Sequence, residues 1–66
     1  MAEVQKFLRL REVVELTGCS RSTIYELMQR RNFPKAVKLG PRAVGWPASE
    51  IAAWQEQCIA ERDRAA

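Results

Sequence analysis

A mainly α-helical domain carrying a small β-hairpin is the fold class that this 66-residue sequence predicts. Three observations predict it. Two short apolar-periodic runs, at residues 10–16 and 24–28, flank a hinge at Thr17-Gly18-Cys19-Ser20. Lys35-Ala36-Val37-Lys38-Leu39 then alternates polar and apolar after Ala36 and meets Gly40-Pro41 before Val44-Gly45-Trp46. Finally, Ile51, Trp54 and Cys58 form an i, i+3, i+7 stripe behind Pro47.

Residues 6–10 read either as a short strand or as an extended lead-in that lays Phe7 or Leu8 on the core, and residues 1–5 are expected to fray. The first helix follows. Leu10, Val13 and Val14 share one helical face, closing on Leu16 before the glycine. Gly18 can end the helix in a left-handed conformation without a Cβ penalty, and Cys19 tucks a small apolar side chain into the turn. Ser20 restarts the chain as an N-cap, accepting from the amide of Ser22 or Thr23, with Ile24, Leu27 and Met28 repeating the helical spacing behind it. With Ile24 at the centre of the buried stripe, about 100° per residue places Ser22, Glu26 and Gln29 opposite, flanked by Tyr25 and Arg30. Hydroxyls, an amide, a phenol and guanidinium groups suit base edges better than a face of Lys and Glu. A helix pair with a glycine turn also occurs in many all-α domains, so the pair alone does not specify DNA.

Beyond the second helix, Asn32-Phe33-Pro34 interrupts the pattern, because proline disfavours a helical conformation at Phe33. Phe33 is then free to fill the core. The alternating stretch after it predicts a β-hairpin with Arg42 at its tip and Lys38 on a flank. Pro47 is expected in the first turn of the third helix, where its missing N–H is harmless, with Ser49 and Glu50 at the positive end of the dipole. The third-helix stripe is expected to pack on the first two helices, and Trp46 and Trp54 are assigned to the core. The expected organisation is a flexible lead at 1–6, one domain at 7–60 and a frayed, solvated end at 61–66.

A chain of this length makes one domain with a small core, burying roughly 60% of the surface its unfolded form exposes. No apolar run approaches a membrane span and no signal-peptide segment opens the chain, so a cytoplasmic, nucleoid-associated protein is expected. Cys19 and Cys58 are 39 positions apart, and the sequence has no histidine. Neither a zinc-site spacing nor a Cys/His nucleophile pair is available, and both cysteines are expected as buried free thiols on apolar stripes. Without a metal-ligand cluster, a phosphate-cradling glycine loop or a recognisable carboxylate pair, the expectation is no enzyme, no metal and no cofactor. Charge is polarised: residues 1–47 hold nine Lys and Arg against four acids, net +5, and residues 48–66 hold two against four, net −2. The positive end is the helix-turn-helix end, as phosphate binding requires.

A helix-turn-helix followed by a basic hairpin is a winged helix-turn-helix. Its geometry puts the second helix in the major groove and the hairpin against the backbone or an adjacent minor groove. Arg21, Ser22, Tyr25 and Gln29 are the candidates for reading or flanking bases. Thr23, Arg30, Lys38 and Arg42 are the candidates for phosphate or groove contacts, with Lys35 a weaker one where the chain is still turning.

A more specific pattern runs from about residue 8 to residue 55: Leu10-Arg11-Glu12-Val13, then Leu16 through Tyr25, Phe33-Pro34-Lys35, Val37-Lys38-Leu39-Gly40, Val44-Gly45-Trp46, Ser49-Glu50-Ile51 and Trp54. In these residues the chain resembles the AlpA-type phage and prophage regulators, which are close to the excisionases and share a MerR-like winged-helix domain. The resemblance implies DNA binding by a small phage-derived or mobile-element protein. It would act as a transcriptional regulator, or alternatively as an excisionase-like directionality factor that bends DNA with an integrase. Arg31 departs from the family pattern, which has glycine two residues before the phenylalanine. Either Asn32 takes the left-handed position there, or Arg31 does and adds a cation beside the groove. A protein-binding adaptor using the acidic third helix is the alternative of another class. One such domain reads only about four to six base pairs, at about 1–3 kcal/mol each, too little against the competing sites of a genome. Further copies on adjacent half-sites, an integrase or RNA polymerase are the partners that would supply the rest.

Overall fold

The computed structural model describes residues 4–65. Six elements follow one another: β1 (Phe7–Leu8), α1 (Leu10–Thr17), α2 (Arg21–Gln29), β2 (Val37–Gly40), β3 (Ala43–Pro47) and α3 (Ala48–Ala65). The strands form one antiparallel sheet in the order β1-β3-β2. Three helices with a hairpin and a short third strand make the expected winged helix-turn-helix.

Local chemistry sets the helix ends. Glu12 reaches back so that its carboxylate accepts the Arg9 N–H at 3.0 Å, closing the first turn of α1. Gly18 ends that helix at φ 75°, with its N–H donating to the Val14 carbonyl at 3.0 Å. The Ser20 hydroxyl then accepts the Thr23 N–H at 3.2 Å and caps α2. At the far end of α2, Arg31 N–H donates to Met28 O at 3.0 Å and Asn32 N–H to Leu27 O at 2.8 Å. This pair of bonds is a Schellman motif. Arg31, at φ 61°, holds the left-handed position, so the choice left open between Arg31 and Asn32 falls to the arginine.

The core gathers one residue from every element but β2, together with Phe33 from the α2–β2 connection: Leu8, Val13, Ile24, Phe33, Trp46 and Ile51. Phe33 lies between the two tryptophans, edge-on to Trp46 at 6.3 Å and to Trp54 at 4.7 Å between ring centroids. Each indole N–H is used. Trp46 Nε1 donates to Pro34 O at 2.8 Å and Trp54 Nε1 to Asn32 O at 2.7 Å, so β3 and α3 both hold the segment that leaves α2. The wing is thereby tied to α2 through this connection. Within the sheet, Phe7 pairs with Pro47, Leu8 with Trp46, Val37 with Gly45 and Lys38 with Val44, and a bulge at Leu39 precedes the Gly40–Ala43 pair.

Three expectations need correction. Pro47 is the last, buried residue of β3 and not a helical one; opposite Phe7 at the end of the strand its missing N–H costs no ladder bond, and α3 begins at Ala48. Residues 61–65, expected as a frayed, solvated end, continue α3 as helix through Ala65, and every residue from 56 to 65 is exposed. Cys58, expected on a buried stripe, is exposed, because the surface that α3 covers ends with Trp54 and Gln55; Cys19 is half-buried against the core, and both thiols are free. Leu16, which closes the apolar run of α1, is 58% exposed. Of the expected lead, residues 1–3 lie outside the described residues. Residues 4–6 are exposed and without regular structure, but Lys6 O accepts the Ala48 N–H at 2.9 Å, which ties the lead to the start of α3.

Candidate nucleic-acid interface

The turn between the helices fixes how α2 is presented. Thr17 Oγ1 donates to Val13 O at 2.7 Å and accepts the Cys19 N–H at 3.2 Å, so the hinge is bonded on both sides of Gly18. Ile24 is fully buried, and Leu27 and Met28 are half-buried. The opposite face is therefore turned outward. Arg21, Ser22, Thr23, Tyr25, Glu26, Gln29 and Arg30 are all exposed, as the helical spacing requires. Thr23 is already engaged, since its Oγ1 accepts the Ser20 hydroxyl at 2.9 Å as part of the cap. Its remaining capacity towards a ligand is correspondingly reduced.

Lys38 and Arg42 stand on the second component, the wing. Lys38 lies in β2 opposite Val44, and Arg42 lies in the two-residue turn Pro41–Arg42, both exposed. Lys35, the weaker candidate, sits beside α2: it joins Tyr25 and Gln29 around one open depression, where Met28 and Ala36 complete the wall. Among the described residues, Arg21, Arg30, Arg31, Lys35, Lys38 and Arg42 form no ion pair with a carboxylate. Their charge is available to an external anion. The two ion pairs present, Lys6–Glu12 at 3.9 Å and Arg62–Asp63 at 2.9 Å, lie elsewhere on exposed surface.

A larger groove opens between the end of α2 and α3, floored by Leu27, Phe33 and Trp54, with Arg31, Glu50 and Glu61 around it. Two carboxylates against one guanidinium make it a poor surface for phosphate. The wing and the outward face of α2 remain the electropositive, unpaired surface. Sequence reasoning missed Met28 and Ala36 as parts of that surface. Met28 reads as core by its spacing, and only the return of the chain to α2 brings Ala36 there.

Residues 6–59 match the family model described as prophage CP4-57 regulatory protein (AlpA). The chain belongs to the AlpA family. This is a family of DNA-binding transcriptional regulators. The chain is 38% identical over 58 residues to the DNA-binding transcriptional activator AlpA of Escherichia coli K12, covering 79% of this chain and 83% of that protein. It is also 50% identical over 60 residues to the uncharacterized protein ORF88 of Enterobacteria phage P4, covering 91% of this chain and 68% of that one. No solved structure matches the chain significantly. The AlpA match spans β1 through most of α3, so both helices of the motif and the whole wing lie within it.

Proposed function

We propose that this AlpA-family domain binds duplex DNA sequence-specifically and regulates transcription of a prophage or mobile element. The observation that carries this reading is the exposed face of α2 beside unpaired cations on the wing and its lead-in. In the reading, α2 enters the major groove with Arg21, Ser22, Tyr25 and Gln29 at or beside base edges. Arg30, Lys35, Lys38 and Arg42 meet phosphates or the adjacent groove, and Thr23 serves chiefly to hold the cap. The role is binding and not catalysis, carried out in the cytoplasm at the nucleoid. Among the described residues no helix is long and apolar enough to cross a membrane.

Regulator and excisionase would use the same surface. The description of the Escherichia coli relative as a transcriptional activator favours the regulator. Because one domain discriminates few base pairs, several copies on repeated half-sites, or RNA polymerase or an integrase beside it, complete the specificity. Fluorescence anisotropy tests the class. A labelled duplex from DNA flanking the gene is compared with a scrambled duplex across roughly 50–200 mM salt. Tight, salt-dependent binding that favours the native duplex is expected, with stepwise saturation where several copies assemble. No binding to either duplex at low salt would overturn the reading and direct attention to a protein partner on α3.

A further inference from the structure

The exposed flank of α2 and the start of the wing border an open depression whose lining is chemically uneven. Tyr25, Met28 and Gln29 wall it from α2, and Lys35 and Ala36 from the segment entering β2. Met28 and Ala36 are half-buried and pack inward on the core, so the floor of the depression is backed by it. Tyr25 is 44% exposed and forms an aromatic wall. Gln29 and Lys35 are exposed beside this apolar surface and supply an amide and an ammonium.

In the major groove, the apolar group that a base edge presents is the C5-methyl of thymine, and glutamine is a side chain that can pair bidentately with adenine N6 and N7. An A·T pair offers both. Resting on the DNA-binding reading above, we propose that this depression is a thymine-methyl subsite. The methyl enters between Tyr25, Met28 and Ala36, while Gln29 meets the adenine of the same or the neighbouring pair and Lys35 neutralises a nearby phosphate. The domain thereby reads A·T pairs at the junction of helix and wing. Elsewhere, the exposed face of α2 presents mostly polar groups, suited to hydrogen bonding with base edges.

The test uses a short alternating dA·dT duplex and the same duplex with deoxyuridine for thymidine, which differ in the C5-methyl. The expected result is about 4-fold weaker binding to the deoxyuridine duplex, the equivalent of burying one methyl-sized group. Tyr25→Ala should bring the two affinities together, whereas Lys35→Ala should lower both and keep their ratio, with folding followed by circular dichroism. A second measurement on the unaltered protein needs no variant. An alternating dG·dC duplex carrying 5-methylcytosine, whose methyl stands in the same groove position, should bind about 4-fold more tightly than its unmethylated form. Equal affinity within both duplex pairs would overturn the subsite while leaving DNA binding intact. Loss of binding to every duplex at low salt would instead overturn the DNA-binding reading on which the subsite rests.

Discussion

Arg31 holds a backbone conformation that glycine adopts without penalty and that costs an L-residue about 1–2 kcal/mol. Its φ of 61° is required by the two Schellman bonds that release the chain from α2 towards Phe33. Arg31→Gly should therefore raise stability by about 0.5–1 kcal/mol after the greater freedom of glycine in the unfolded chain is counted. Urea unfolding would read this as a higher midpoint at unchanged slope; a lower midpoint would mean that the arginine side chain stabilises the fold more than its backbone costs. Gly45 presents the opposite case. A Cβ there would lie 2.9 Å from Leu39 Cδ1, 3.1 Å from the Leu8 carbonyl oxygen and 3.3 Å from Phe7 Cβ, so the strand on one side and the bulged leucine on the other both need the bare backbone. Gly45→Ala should destabilise by about 1–3 kcal/mol in the same assay, as overpacking does. An unchanged midpoint would show that the Leu39 side chain swings aside and that Leu8 yields. That glycine had to stand at Gly18 was readable from sequence, since the apolar period stops there. The need at Gly45 was not, because it arises only when β1, distant in sequence, lies against β3.

Among the elements, α2 and the wing have separable tasks, and substitutions should separate them. Removing the cap by Ser20→Ala should cost about 1 kcal/mol of stability, seen in the unfolding midpoint, because it leaves the Thr23 N–H without its 3.2 Å acceptor. Arg42→Ala should weaken binding to all duplexes alike and reduce the slope of log affinity against log salt by about one, the signature of one lost phosphate contact. Ser22→Ala and Gln29→Ala should instead change the ranking of sequences, measured by competition among variant duplexes. An Arg42→Ala protein with unaltered affinity and slope would remove the wing from the interface. The elements themselves were legible because their ends are chemical and local: Gly18, Ser20 and Phe33-Pro34 each act on neighbouring backbone. How far α3 extends was less legible. Helical periodicity says which face an apolar residue shares, not how much surface its neighbours offer, so Cys58 sits on the stripe yet beyond the core that Phe33 and Ile51 build.

At the scale of the whole molecule, the separation of net +5 in residues 1–47 from net −2 in residues 48–66 becomes a division of surfaces. The helix-turn-helix and wing carry most of the unpaired cations, and the second half of α3 projects, exposed, with Glu61 and Asp63 beside Arg62 and Arg64. Such a division of charge favours one orientation of the domain towards a polyanion. The candidate site was legible as a set of exposed residues. Its continuity was not, because Lys35 and Ala36 meet Tyr25 and Gln29 only through the turn that Trp46 and Trp54 pin by their indole hydrogen bonds to Pro34 and Asn32. The central claim, that α2 and the wing together form the DNA interface, is tested most directly by an NMR titration of the ¹⁵N-labelled protein with the duplex it prefers. Shifts concentrated at Arg21, Ser22, Tyr25, Gln29, Lys35, Lys38 and Arg42, with residues 56–65 unmoved, are the predicted result. Shifts centred on α3 and the groove of Leu27 and Trp54, with the face of α2 unmoved, would contradict it.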